Sequence, residues 1–180
     1  MFCRRLPFLV LLIFFQVNTV FAMNGMQSAR ALEIQAAFLV KFSLYVKWPA
    51  DAFLHDTDPI IIAIFGRDPF GSTIDKIARS FRARGREIEI RRYRDRDVLS
   101  QCHILYIPAA ESGHIDEISN LLLDQPVLLV GNFPRFLEHS GIINFVSTGG
   151  KIRFDISRMN SDKARLEISS KLFAVALSIK

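Results

Sequence analysis

The apolar positions of this chain fall into two kinds of run, and the period of each predicts a conformation. Between Ala29 and Val46 the residues Leu32, Ala36 and Leu39, and again Ile34, Phe38, Phe42 and Tyr45, recur every three or four positions, the spacing of a helix with a wide buried face. Trp48-Pro49 ends that run, because a residue before proline is pushed out of helical geometry. From there short apolar runs alternate with amphipathic stretches. Pro59–Phe65 reads as a buried strand, Gly66–Phe70 as a loop and Gly71–Ser80 as a helix. Glu87–Arg91 alternates charged and apolar residues, which turns Ile88 and Ile90 inward on a half-exposed strand. His103–Ile107 and Val127–Val130 are short, apolar and β-prone, separated by a helix over Gly113–Leu123 with Ile115, Ile118 and Leu122 on one side.

Later in the chain Gly141–Val146 and Lys151–Ile156 flank Ser147-Thr148-Gly149-Gly150, a turn signal between antiparallel strands. Ser170–Ile179 reads as an apolar helix capped by the Ser169 hydroxyl; Asn160–Leu166 is open between a short helix and a loop. Strand and helix in succession predict an α/β fold, a three-layer α/β/α sandwich whose sheet is mostly parallel with a C-terminal antiparallel hairpin at its edge. No repeat, low-complexity tract or Gly/Ser linker marks a second domain.

The amino terminus changes where this fold is expected to work. Arg4 and Arg5, the apolar run Phe8–Phe15 and the ending Val20-Phe21-Ala22 have the three parts of a secretory signal, with small residues at the −3 and −1 positions for cleavage after Ala22. The alternative, a membrane anchor, needs about 20 apolar residues, and the strictly apolar run here, Phe8–Phe15, is far shorter. Cleavage of 22 of the 180 residues leaves 158, the size of one domain. The expected mature chain, 23–180, is therefore a single exported domain.

Without Arg4 and Arg5 the chain has 21 basic and 18 acidic side chains, too mild an excess to argue for nucleic acid. Only Cys102 survives cleavage, so no intrachain disulfide forms although an exported protein is permitted one. Cys102 is then a small buried apolar residue, a reactive thiol, or half of an intermolecular bridge.

Candidate chemistry is sparse. Gly66-Arg67-Asp68-Pro69-Phe70-Gly71-Ser72-Thr73 joins a strand to a helix, where backbone N–H groups could hold an anion; it matches neither phosphate-loop fingerprint, and a tight turn explains its glycines equally well. Eight arginines crowd Arg79–Arg96, with Glu87, Glu89 and Asp95 among them. They form either a patch for an acidic partner or lipid headgroups, or an ordinary solvated face. Of His55, His103, His114 and His139, no two have helical metal-ligand spacing. His103 opens an apolar strand, as core packing or as part of a site assembled from distant residues. No nucleophile elbow and no marked pair of carboxylates is present, so neither enzyme chemistry nor a cofactor is expected.

Ala36-Ala37-Phe38-Leu39 with Trp48-Pro49, Gly66-Arg67-Asp68-Pro69-Phe70-Gly71, Cys102-His103-Ile104-Leu105-Tyr106-Ile107, Gly141-Ile142-Ile143-Asn144-Phe145 and Arg153-Phe154-Asp155-Ile156 stand in this order. Together with Gly85-Arg86, Pro126-Val127-Leu128 and Ile168-Ser169-Ser170-Lys171-Leu172, this chain of blocks resembles the YfiR family of exported bacterial proteins over the whole mature domain. The resemblance implies a periplasmic regulator without catalytic activity, often dimeric. It would bind the periplasmic part of an inner-membrane diguanylate cyclase, holding cyclic di-GMP low and restraining biofilm formation until a second envelope protein captures it. Two positions depart from the family. Ala63 stands where many members have a cysteine able to pair with the one matching Cys102, and Arg165 stands where glycine is common before Leu166.

No catalytic residues come with that resemblance, so contact residues are sought on the surface. Phe154, Asp155, Ile156, Glu167, Ser169, Ser170 and Lys171 mix apolar and polar groups near a helix start, which suits a protein partner or a small ligand. On the opposite reading Phe154 and Ile156 are core and Ser169 is only a cap. A periplasmic small-molecule sensor, using this corner or the Gly66–Thr73 loop, is the alternative function.

Overall fold

A computed structural model describes residues 28–94 and 99–180. The export signal expected over residues 1–22 lies outside them, as does Arg96 at the end of the arginine-rich stretch. Helix α1, residues 28–45, buries Ala36, Leu39, Val40 and Phe42 completely. Ile34, assigned by its spacing to the buried side, lies at the exposed margin of that helix.

Among the described residues eight strands form the main sheet: β2 (Ile60–Phe65), β3 (Arg82–Ala83), β4 (Arg86–Tyr93), β5 (Ile104–Ile107), β6 (Leu128–Gly131), β7 (Ile143–Thr148), β8 (Lys151–Ile156) and β10 (Ser178–Ile179). Their order across the sheet is β10-β8-β7-β6-β5-β2-β4-β3. From β4 through β2, β5 and β6 to β7 every pairing is parallel, whereas β7–β8 and β3–β4 are antiparallel. The turn between β7 and β8 has positive φ at Gly149 and Gly150, which glycine reaches without steric cost. The α/β class, the parallel centre and the late hairpin agree with the sequence reading.

Two apolar cores explain the three layers. Because successive side chains on a strand point to opposite faces, Ile60, Ile62, Ile64, Ile104, Tyr106, Leu128 and Val130 pack beneath α1 and α2 (Ser72–Arg79). Ala63, Phe65, Leu105, Ile107 and Leu129 pack on the other face against Ile115, Ile118 and Leu122 of α3 (Ile115–Leu121) and the turn after it. A central strand with both faces covered reads as a continuous apolar run, which is the pattern of Ile60–Phe65.

The carboxyl end differs from expectation. Helix α5 covers only Ser170–Val175, and the chain then extends at Ala176 (ψ 151°) into β10, which joins β8 in parallel. The expected helix to Ile179 and the expected hairpin edge are both corrected: β10 lies outside the hairpin. The cause is hydrogen bonding, since Leu177 N–H donates to Phe154 C=O, Lys180 N–H to Ile156 C=O and Arg158 N–H to Lys180 C=O. A short apolar run such as Leu172–Leu177 does not distinguish helix from strand by period; the open edge of β8 decides.

A second, two-stranded sheet pairs β1 (Val46–Lys47) with β9 (Glu167–Ile168) in antiparallel register. The open segment before it holds α4 (Arg158–Lys163), whose start is capped by the Ser157 hydroxyl accepting from Asn160 N–H. Arg165, at φ 56°, occupies the left-handed position just after that helix. Arg165 N–H donates to Asp162 C=O and Leu166 N–H to Ser161 C=O, the bond pair of a Schellman ending, where glycine is the usual residue.

Candidate functional site

At the amino ends of β2, β5 and β6 lies an open cavity of about 560 Å³, lined by Phe53, Ile61, Arg91, Gln101, His103 and Arg165 among others. That volume lies in the range of small-molecule sites. Its organising residue is His103. The imidazole Nδ1 accepts the Ile61 N–H at 3.0 Å and Nε2 lies 3.1 Å from the Ala52 carbonyl, so the proton resides on Nε2 and is donated to Ala52. Burial pushes the imidazole pKa down, and the ring is neutral at pH 7.

The segment after α1 is folded over this imidazole. Trp48 donates its indole N–H to the His103 carbonyl at 3.2 Å, and its ring meets the imidazole edge-on. Pro49 then starts a single 3-10 turn over Ala50–Ala52, which brings the Phe53 ring into a stack on His103 with centroids 4.4 Å apart. The Arg86 guanidinium sits 3.8 Å over Phe53 and donates to the carbonyls of His55 and Asp58. Asp58 accepts the N–H groups of His55 and Leu54, and these bonds hold its carboxyl below the usual range. Arg165 closes the far side through an ion pair with Asp51 at 2.8 Å.

With both ring nitrogens engaged in backbone bonds, His103 has neither a free lone pair for a metal nor a proton to pass on. Asp51 and Asp58 are likewise engaged. This lining is built to hold a shape.

At the opposite ends of the strands, the Gly66–Thr73 loop is filled by the protein's own carboxylates. Glu111 lies against Gly66 and accepts the Arg67 N–H at 3.3 Å, while Asp68 accepts the Phe70 N–H at 2.7 Å. Arg92 binds Asp68, Asp75 and the Gly71 carbonyl; with that hydrogen bonding first, Asp75 is held below its usual pKa. These contacts use two of the donors an incoming phosphate would need.

The surface residues named from sequence divide sharply. Phe154 and Ile156 are core, with the Phe154 ring edge-on to Phe38 and Phe42. Asp155 accepts the Ser178 hydroxyl at 2.7 Å, tying β10 to β8. Ser169 caps α5 by accepting the Lys171 N–H. Glu167, Ser170 and Lys171 are exposed and adjoin one another at the β9–α5 corner, where Glu167 pairs with Lys47 at 3.0 Å. The cavity residues Phe53, Arg91, Gln101 and Arg165 were not signalled by any motif, because four separate segments supply them.

A family model described as YfiR/HmsC-like matches residues 32–177. The chain belongs to the YfiR/HmsC-like family. Its matched segment includes both apolar cores, the cavity and the β9–α5 corner. No curated protein matches the sequence. Among solved structures the chain is similar to a conserved domain protein from Vibrio cholerae O1 biovar El Tor strain N16961, with 11% identity and a TM-score of 0.48. That match covers 67% of this chain and 55% of the other. Arg165 takes a left-handed backbone that glycine adopts without steric cost.

Proposed function

We propose that this YfiR/HmsC-like chain is a periplasmic regulator, exported with cleavage after Ala22. In this reading it binds the periplasmic part of an inner-membrane signalling protein, a diguanylate cyclase, and lowers cyclic di-GMP output. The observation that carries the reading is the family match across residues 32–177. Regulation of this kind needs no chemistry from the regulator, only a better fit to one conformational state of the partner than to the other.

Glu167, Ser170 and Lys171 are the contact residues in this proposal, held on a rigid corner by the β1–β9 pairing and the Ser169 cap. Phe154 and Ile156 belong to the core and are not contact residues. A homodimer, and capture by a second envelope protein, belong to the same proposal. Deleting the gene tests it: cyclic di-GMP and surface attachment rise, and both return on complementation. Unchanged cyclic di-GMP in the deletion strain would sink it.

The second reading, a small-molecule sensor, is favoured by the cavity of about 560 Å³ around His103. A ligand that binds only the folded state raises the apparent melting temperature. A metabolite screen read by thermal shift, repeated with Gln101→Ala, separates the readings: a shift abolished by that substitution supports the sensor.

A further inference from the structure

We propose that the β3–β4 edge of the sheet is a docking surface for anionic phospholipid, which goes beyond the regulatory reading and does not depend on it. Residues 66–94 hold nine cationic side chains and four carboxylates, while the rest of the chain from Met23 onward holds twelve and fourteen. The whole positive surplus of the expected mature protein therefore sits on α2, β3, β4 and the loop before them.

The four carboxylates of this segment are already taken. Glu87 pairs with Arg82 and Glu89 with Arg91, each at 2.7 Å, and Asp68 and Asp75 both pair with Arg92. Arg67, Lys76, Arg79, Arg84 and Arg94 are exposed and make no ion pair among the described residues. They follow β2, line α2, project from the β3–β4 turn and follow β4. Arg84 and Gly85, at φ 54° and 83°, form the two-residue turn that carries Arg84 at the tip. Cations strung along an edge in this way match an extended anionic sheet and do not converge on a single anion.

An apolar residue stands near the start of β4, at the same end as the β3–β4 turn. Leu54 is 89% exposed, yet its loop is held by Asp58 and by Arg86, the first residue of β4. An exposed leucine next to arginines is the combination that enters a headgroup layer. A phospholipid surface uses both features, the cations at its phosphates and the leucine below them.

Sedimentation of the processed chain with vesicles tests this. It should bind phosphatidylcholine vesicles containing phosphatidylglycerol, leave pure phosphatidylcholine in solution, and release near 1 M salt, where screening acts within about 3 Å. Each cation near an anionic bilayer strengthens binding about fivefold, so Arg79→Gln with Arg84→Asn should weaken it about 25-fold. Lys151→Gln with Arg153→Gln removes the same charge from the β7–β8 hairpin and should change it less than about twofold. Leu54→Ser should weaken binding without altering its salt dependence. Equal losses in the two double variants, or equal binding to both vesicle types, would overturn the proposal. So would absent vesicle binding with retention on immobilised polyglutamate, which would assign the edge to an acidic polypeptide. Should the first double variant fail to fold, Arg79→Gln alone, at an exposed helix end, should weaken vesicle binding about fivefold, and unchanged binding in that variant would overturn the proposal equally.

Discussion

His103 and Ile61 are bonded to each other twice: the His103 N–H donates to the Ile61 carbonyl at 2.9 Å, and the Ile61 N–H donates to the His103 imidazole at 3.0 Å. The side chain stands in for a backbone carbonyl where the β2–β5 ladder begins, so a buried N–H is not left without a partner. The same ring holds the Trp48–Asp58 segment in place, which joins the edge of the sheet to the floor of the cavity.

Replacing that ring tests its role. His103→Ala leaves the Ile61 N–H and the Ala52 carbonyl unpaired and should cost roughly 2–4 kcal/mol in denaturant unfolding. A loss under about 0.5 kcal/mol, the level of an ordinary surface substitution, would show that the ring is not structural.

Acid should weaken the fold through the same residue. Burial lowers the imidazole pKa below the ordinary 6.5, so below that pH the unfolded chain binds a proton that the folded chain refuses. Stability attributable to His103 is complete above about pH 6.5 and declines as pH falls toward the lowered folded value. Melting temperature measured from pH 7.5 to 5 should show this decline, and His103→Asn, which keeps an acceptor for Ile61, should flatten it.

Arg165 keeps a glycine backbone with a side chain attached. Arg165→Gly removes left-handed strain of about 1 kcal/mol and loses an exposed ion pair with Asp51 worth about 0–1 kcal/mol. The variant should therefore be as stable as the parent or slightly more so, while Arg165→Val should be less stable by at least about 1 kcal/mol. Reversal of that order in urea melts would refute the left-handed assignment.

Cys102 should be inert. Its thiol is buried and donates to the Leu99 carbonyl at 3.1 Å, and burial raises its pKa far above neutrality, so almost no thiolate is present. Thiol reagents should label it only in denaturant, and non-reducing gels should show no linked dimer. Labelling in the native state at the rate of a free thiol would contradict the packing.

The Gly66–Thr73 loop should ignore phosphate, because Glu111 and Asp68 occupy its donors. Millimolar phosphate should leave the melting temperature of the parent unchanged. A rise would mean that the carboxylates give way to an anion, since only binding to the folded state can produce one.

Which of these features could be read from the chain depended on how local their causes are. Ile60–Phe65, the Gly149-Gly150 turn and the first helix were legible, because a buried strand, a left-handed turn and an amphipathic face each leave a pattern among near neighbours. The two-residue strands β1, β3, β9 and β10 leave almost none. The cavity was illegible for the same reason: Phe53, Arg91, His103 and Arg165 are distant along the chain, and only the folded sheet, with the loop before β2 and the turn after α4 laid against it, sets them around one space. The contact residues of the β9–α5 corner were partly legible; alternation placed Phe154 and Ile156 on one face of a strand, but not which face the core would claim.

By itself the sequence determined the fold class, the succession of strands and helices and the family, since each is written in short-range periodicity and in the order of its blocks. Tertiary structure alone decided that Ser178–Ile179 would be a strand, that His103 would spend both nitrogens on backbone, and that Arg67, Lys76, Arg79, Arg84 and Arg94 would stay exposed without an ion pair among the described residues. Those outcomes turn on which hydrogen-bonding groups are brought together after the sheet closes, and a buried polar group pairs with whatever lies within reach in space.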